Sequence, residues 1–251
     1  MASNVESSHF ISSVTMRVTQ MTREGLHVTH MGVSVEQQMS TDRKIENLIT
    51  EGFAWLAIEQ MQTALQAFSE ASKLRTSNVY LMATIENNIG VALAKLGKVQ
   101  EAEEHYLRAE KLKFESNNLK ARILNNKALL LLARNEIEQA QCFLLEASSL
   151  FPSDKALLAK IQNNLGISYK RKNNLPVAMS WFLDSLSSIR ESDDLRTAIR
   201  VLNNLGALYL ETGTYGEAKK CLDEANHLLA TIGERFPDLS EMIARNRQLL
   251  Q

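Results

Sequence analysis

The 251-residue sequence has few of the residues that give small proteins a covalent framework or a reactive centre. Its two cysteines, Cys142 and Cys221, lie far apart and are expected to be reduced thiols. Three prolines and ten glycines are few enough for a helical chain. The five histidines have no metal-ligand spacing with cysteines or acids. We therefore expect no metal, no other cofactor and no activated nucleophile.

Strong net charge, long apolar runs and phosphate-binding loops are also missing. A formal net charge of −1 removes any general argument for nucleic acid or an anionic membrane as the partner. No apolar run approaches the ~20 residues of a membrane span, and neither GxGxxG nor GxxxxGK occurs. The first twenty residues lack a basic stretch followed by an apolar core. These absences predict a cytoplasmic protein that binds no nucleic acid directly and has no membrane span.

What the sequence does contain is a repeat. A small residue recurs at steps of 38, 38, 38 and 40 residues, with a second small residue twelve before it, a large apolar one four after it and a third small one three further on. In the same order of repeats these positions hold Ala64, Ala102, Ala140, Ala178 and Ala218; Gly52, Gly90, Ala128, Gly166 and Gly206; Phe68, Tyr106, Leu144, Phe182 and Leu222; and Ala71, Ala109, Ala147, Ser185 and Ala225. A period of this size is typical of a solenoid, which usually holds other proteins.

The repeat predicts an all-α fold of five helix pairs followed by a capping helix. We expect repeats over about 45–77, 78–116, 118–152, 154–192 and 194–233, and the capping helix over 238–250. Paired small residues let two antiparallel helices approach closely, and the large residue fills the gap against the next repeat. The joins RTSN, ESNN, PSD and ESDD supply Ser, Asn or Asp to cap the following helix.

Residues 1–40 differ from the rest. They are rich in Ser, Thr, Met and Val and show no helical periodicity, while Leu26, Val28 and residues 31–35 favour a short extended segment. We therefore expect a flexible or partly extended N-terminal segment, separate from a solenoid over 41–251. The alternative is an arm that docks into the groove or carries a sorting signal.

Two repeats carry the motif of a known family. Leu165-Gly166 with Tyr169, and Leu205-Gly206 with Tyr209, resemble the pattern of the tetratricopeptide repeat (TPR) family. The resemblance covers about residues 45–233 and implies a right-handed TPR-type α-solenoid. The period of 38 is longer than the usual ~34. Long repeats with paired asparagines are similar to those of kinesin light chains, Leu-Gly-Asn repeat scaffolds and bacterial peptide-sensing regulators.

An asparagine pair occupies the same two positions in four successive repeats: Asn87-Asn88, Asn125-Asn126, Asn163-Asn164 and Asn203-Asn204. Asparagine is a mediocre helix former, so its repetition needs a reason. The TPR resemblance places the second asparagine of each pair on the concave wall, where its amide could bridge the N–H and C=O of an extended peptide. We therefore predict peptide contacts for Asn88, Asn126, Asn164 and Asn204, and helix-to-helix bonds for the first asparagines. The alternative is a structural role for all of them.

Basic residues recur in the same register. Arg122, Lys160 and Arg200 stand four residues before a second asparagine, and Lys95 and Arg171 stand seven after one. They predict a basic groove that favours an acidic peptide or a free C-terminal carboxylate. The alternative is a set of solvated charges at helix ends.

The leading hypothesis is a protein–protein interaction scaffold or chaperone-like adaptor that binds an extended, acidic peptide segment of another protein in its concave groove. One alternative is a peptide-responsive signalling or transcription regulator whose solenoid changes curvature on binding. Another is a type III-like secretion chaperone that recognises an unfolded segment of one client. We expect no enzymatic activity; a phosphatase built from groove carboxamides is the alternative in that class.

Overall fold

The computed structural model describes residues 32–232 and 236–250, and within these ranges all regular structure is helical. The eleven helices are α1 (Gly32–Ala57), α2 (Met61–Lys73), α3 (Val79–Lys95), α4 (Val99–Lys111), α5 (Asn117–Ala133), α6 (Ile137–Ser149), α7 (Lys155–Arg171), α8 (Leu175–Ile189), α9 (Leu195–Glu211), α10 (Tyr215–Ile232) and α11 (Pro237–Gln248). They form five pairs and one further helix. The expected α-solenoid is confirmed.

The N-terminal expectation needs a correction. Residues 32–40, which we expected to be flexible or partly extended, belong to α1, and residues 1–31 lie outside the described part of the chain. Val33 and Val35 suggested a strand, but the residues from 36 to 39 are good helix formers or neutral and allow α1 to continue through them. The added turns are tied to the next connection, because the Gln38 amide donates to Thr76 Oγ1 at 3.0 Å and Thr76 donates to Asp42 at 2.6 Å.

The first helix of each later pair begins at a capping side chain. Asn78, Ser116, Asp154 and Asp194 each accept a hydrogen bond from the backbone N–H three residues on, at 3.0–3.2 Å. Such a bond satisfies one of the N–H groups that a helix leaves unpaired at its start. The residues at the joins therefore set where α3, α5, α7 and α9 begin, and these four helices have the same length of 17 residues.

The two helices of a pair are joined by a turn with one residue in the left-handed region. Gly97 and Gly213 have φ of 77° and 75°, and asparagines occupy the same place in the third and fourth repeats. Glycine takes this conformation without steric cost, and asparagine takes it more easily than most residues. In the first repeat this residue is Glu59, with φ of 61°.

Within each pair the small residue of the first helix faces the large residue of the second helix, which we had expected to fill the gap against the next repeat. A Cβ added at Gly90 would lie 2.5 Å from the Tyr106 ring, and one at Gly166 would lie 2.5 Å from the Phe182 ring. Both rings are buried, and burial raises the pKa of the Tyr106 hydroxyl. The alanine at the fourth position of each second helix, such as Ala102, is fully buried as well. Close packing of this kind continues from repeat to repeat.

The last helix does more than cover the end of the stack. Leu239 and Ile243 of α11 are buried against the fifth repeat, as expected of a cap. Asn246 of α11 lies ten residues after the N-cap position Phe236, the same separation as between Asn204 and its cap Asp194. Since α11 also contacts α9, it occupies the place of the first helix of a sixth repeat.

Candidate functional site

The first helices of successive repeats line one side of the solenoid. α1, α3, α5, α7, α9 and α11 contact one another in that order, whereas successive second helices are not in comparable contact. A stack whose first helices are closer together than its second helices curves toward the first helices. We call the surface on that side the inner face and the surface formed by the second helices the outer face.

Four register positions share the inner face, because residues spaced by four, three and four lie on one side of a helix. In α5 they are Arg122, Asn126, Leu129 and Ala133. The equivalent rows along the solenoid are Glu46, Thr84, Arg122, Lys160 and Arg200; Thr50, Asn88, Asn126, Asn164 and Asn204; Phe53, Val91, Leu129, Ile167 and Ala207; and Ala57, Lys95, Ala133, Arg171 and Glu211.

The asparagines form a continuous ladder between repeats. The side-chain N–H groups of Asn126, Asn164 and Asn204 donate to the side-chain oxygens of Asn87, Asn125 and Asn163, the first asparagines of the preceding repeats, over 2.8–2.9 Å. Asn246 of α11 adds one more bond of the same kind, to Asn203 at 2.8 Å. The ladder therefore joins the first helices of repeats two to five to α11.

This arrangement assigns a structural bond to the second asparagines as well as the first. Asn126, Asn164 and Asn204 each use one side-chain N–H in the ladder. We had expected these amides to be available to a ligand. Their side-chain oxygens accept no hydrogen bond from the described part of the chain. An amide oxygen accepts up to two bonds, so each of the three retains an acceptor on the inner face.

The ladder ends at Asn88. The acceptor that Asn88 would need lies at the position of Ile49, which has no polar group. Asn88 is 2% exposed, and its side-chain nitrogen is buried without a hydrogen-bond partner among the described residues. Its oxygen accepts from Asn87 at 3.2 Å. The first repeat is thus held by apolar contacts alone at this level, and Asn88 is less suited to ligand contact than the other three.

Three of the five predicted basic residues are paired with acids of the following repeat. Arg122 contacts Asp154 at 3.2 Å, and Lys160 contacts Asp194 at 2.7 Å. Arg200 contacts Asp238 of α11 at 3.2 Å. Asp154 and Asp194 therefore each cap the start of a helix and form an ion pair between repeats. Although burial disfavours the charged form of Asp194, Lys160 and the N–H and O–H of Thr197 outweigh it and hold the pKa of the carboxyl below its usual value.

The two other predicted basic residues lie at the opposite end of the first helices. Arg171 donates to the backbone carbonyl of Leu132, one repeat earlier. Lys95 is exposed and makes no ion pair with a residue in the described ranges. Of the predicted cations, therefore, these two keep a charge that no acid neutralises, and Lys95 is the more open to solvent.

Sequence reasoning missed an apolar row on the same face. Phe53 and Leu129 are 40% and 44% exposed, and Val91, Ile167 and Ala207 are half-buried in the same register. Each directly follows the small residue that packs against the second helix, and this position was the signal in the sequence. The row lies one helical turn from the asparagine oxygens, so the inner face combines apolar contact with hydrogen-bond acceptors.

Charge is divided between the two sides of the solenoid. Helices α3, α5, α7 and α9 carry ten basic and two acidic residues, whereas α4, α6, α8 and α10 carry four basic and ten acidic residues. The overall net charge of −1 hides this division. Because like charges on one side add at distances below the Debye length of about 8 Å, the first helices together carry a positive potential.

Within the described ranges no group of three or more His, Cys, Asp or Glu side chains could hold a metal ion. None of the helices there is long and apolar enough to cross a membrane.

Comparisons with known proteins agree with this geometry. Profiles of the family described as tetratricopeptide repeat match residues 81–153 and 199–226. A search of curated proteins found no match. Among solved structures, pilF of Pseudomonas aeruginosa is similar with a TM-score of 0.59 and 20% identity, over 84% of this chain and 89% of that one. BtubC of P. vanneervenii has a TM-score of 0.57 and 21% identity, over 78% and 91%.

A Rap protein complexed with Competence and Sporulation Factor is also similar, with a TM-score of 0.61 and 12% identity. The match covers 81% of this chain and 57% of the Rap chain. Identities this low show a shared fold alone. The profile matches therefore show tetratricopeptide repeats at residues 81–153 and 199–226, within an α-solenoid whose five helix pairs share one register.

Proposed function

We propose that the protein is a non-catalytic interaction scaffold whose inner face binds an extended peptide segment of another protein. Tetratricopeptide repeats generally serve as scaffolds that bind proteins or peptides. The observation that carries the proposal is the exposed apolar row beside the free oxygens of Asn126, Asn164 and Asn204. Apolar side chains of a peptide would bury against the row, and its backbone N–H groups would donate to the amides.

The charge of the first helices supports a peptide with acidic residues. Lys95 would contact an acidic residue directly, because no ion pair competes for it. At Arg122 and Lys160 a ligand carboxylate would compete with Asp154 and Asp194, each about 3 Å from its cation. We expect the acidic preference to be strongest near Lys95.

Substituting the asparagines would not test this proposal cleanly, because their loss also breaks bonds between repeats. Leu129 and Leu145 provide a better pair. They are 44% and 43% exposed, but Leu129 lies on the inner face and Leu145 on the outer face of the same repeat. Glutamate at either position is expected to leave the fold intact.

The experiment selects binders from a display library of random peptides on the wild-type protein. The selected peptides are then titrated against Leu129→Glu and Leu145→Glu by fluorescence anisotropy. We expect peptides with apolar and acidic residues whose affinity falls tenfold or more with Leu129→Glu and is unchanged with Leu145→Glu. Peptides that bind all three proteins equally would place the binding surface elsewhere, and turnover of phosphoprotein substrates would contradict the non-catalytic part of the proposal.

A peptide-responsive regulator is the second candidate. It is favoured by the similarity to the Rap protein that is complexed with Competence and Sporulation Factor. The two functions differ in what the peptide does to the solenoid. Small-angle scattering of the complex with a selected peptide would show a marked change in the radius of gyration for a regulator and almost none for a scaffold.

A further inference from the structure

A notch lies between the second helices of the first two repeats, over α3, and a smaller one lies at the same place one repeat later. The first notch is lined by Ser72, Leu74, Arg75, Thr76, Met82, Ile85, Glu86, Arg108 and Leu112. The second notch is lined by Glu110, Leu112, Phe114, Lys120, Ile123, Leu124, Glu146 and Leu150. Eight lining positions correspond at the 38-residue period, yet the volumes are about 480 Å³ and 160 Å³.

The residue two before each N-cap differs in size between the two notches. In the second notch it is Phe114, whose ring is buried in the core shared by the two repeats. In the first notch it is Thr76, whose hydroxyl bonds to Gln38 and Asp42 of α1. The first notch therefore lacks the aromatic plug that fills its neighbour, and α1 holds the small residue in its place.

The chemistry of the first notch is apolar inside and cationic at the rim. Leu74, Ile85 and Leu112 provide apolar walls, while Arg75 is exposed and makes no ion pair with any described residue. Arg108 lies on the other side, 3.9 Å from Glu86 and 3.1 Å from Glu104 of its own helix, where a ligand carboxylate would compete with these acids. The same Glu86 oxygen also lies 2.8 Å from His105 Nδ1, within hydrogen-bond distance.

The rim of the second notch has the opposite charge. Glu110 and Glu146 replace Ser72 and Arg108, so an anion that suits the first notch is repelled by the second. Lys120 alone is basic among the residues that line it. The two notches thus differ both in volume and in the sign of charge they favour.

We propose that the first notch is a second peptide site that binds the C-terminal residue of a partner chain, with a large apolar side chain in the notch and its carboxylate between Arg75 and Arg108. A terminal Phe, Leu or Met carries both groups within a single residue. Arginine suits the carboxylate because its guanidinium offers paired N–H donors. The notch is distinct from the inner face, so this proposal stands independently of the proposed function.

The test titrates the full chain with N-acetyl-L-phenylalanine, the smallest probe that carries both groups, and records two-dimensional amide NMR spectra. For a ligand of this size we expect a Kd of about 1 mM, with shifts confined to residues 72–76, 82–86 and 108–112. N-acetyl-L-phenylalaninamide has the same ring but no charge. We expect it to bind at least about fivefold more weakly, because a charge-assisted hydrogen bond is lost.

Three variants locate the site. Thr76→Phe places in the first notch the aromatic ring that Phe114 places in the second, and it should abolish binding. Because this change removes the bonds of Thr76 to α1, the thermal midpoint of the variant is also measured. Arg75→Glu lies on an exposed connection and should weaken binding about tenfold without affecting the fold. Lys113→Glu makes the same charge change one repeat later and should leave binding unchanged.

Several results would overturn the proposal. These are the absence of saturable binding, equal binding of the neutral amide, shifts located on the inner face, and equal weakening by Arg75→Glu and Lys113→Glu. Notch shifts that follow protein concentration without any probe would assign the notch to a second copy of the chain, and would overturn it too.

Discussion

Alanine in place of Gly166 should destabilise the solenoid although alanine is the better helix former. Its Cβ would lie 2.5, 2.6 and 3.0 Å from three carbons of the Phe182 ring, and that ring is fully buried. Overpacking of this kind costs about 1–3 kcal/mol, while the gain in helix propensity is about 1 kcal/mol. Because two of these distances are below 3.0 Å, we take the upper half of the overpacking range, about 2–3 kcal/mol, and expect a net loss of about 1–2 kcal/mol in the free energy of unfolding.

The third repeat shows how the loss can be repaired. There Ala128 stands where the fourth repeat has Gly166, and Leu144 stands where it has Phe182, and both are fully buried. The double change Gly166→Ala with Phe182→Leu should therefore be more stable than the sum of the two single changes by about 1 kcal/mol or more. The shape of the pair, rather than either residue alone, is what the packing requires.

Urea unfolding followed by circular dichroism at 222 nm, a wavelength that reports helix, measures all three variants. Gly216→Ala is the matched control, because a Cβ there meets no atom within 4 Å, and it should stabilise the protein by up to about 1 kcal/mol. A Gly166→Ala variant as stable as the wild type, or additive single changes, would refute the packing argument.

Three further predictions follow from single sites. Asn125→Ala leaves the side-chain N–H of buried Asn164 unpaired and should cost about 2–3 kcal/mol in urea unfolding; a loss below about 1 kcal/mol would contradict the ladder. Because the folded-state pKa of Asp194 is lowered, its stabilisation is complete above the unfolded pKa of about 3.9 and is lost as the pH falls further. Asp194→Asn should therefore flatten the fall of thermal midpoint below about pH 4, and an unchanged slope would count against the ion pair. Burial first, then neighbouring acids, raises the pKa of Cys221 to about 11, so a thiol reagent at about pH 8 should modify exposed Cys142 first; equal rates would contradict this order.

The asparagine pairs show how far the sequence reached into the candidate site. Their period located them on one helix of each repeat, and the expectation of helix-to-helix bonds for the first asparagine agrees with the ladder. The partner of each bond lies 39 to 43 residues away, so no local pattern could reveal that the second asparagine is the donor. Peptide contact by these residues stays a prediction.

The basic residues show a similar limit. Their recurrence was visible, but their ion pairs with Asp154, Asp194 and Asp238 cross from one repeat to the next. The sequence predicted that Asp154 and Asp194 cap a helix. In the structure each of them also forms an ion pair with the preceding repeat. Periodicity places a side chain on a face of its own helix, whereas the neighbour on the adjacent helix depends on how the helices pack.

The sequence by itself determined the helix pairs, the caps at Asn78, Ser116, Asp154 and Asp194, and the recurring positions of the small and large residues. These features are local, since hydrogen bonds and packing within about 40 residues decide them. Only the tertiary structure decided that α11 enters the register of a sixth repeat, that the asparagine ladder stops at Ile49, and that Thr76 leaves a notch open. These features depend on the distance and angle between repeats, which a one-dimensional period does not contain.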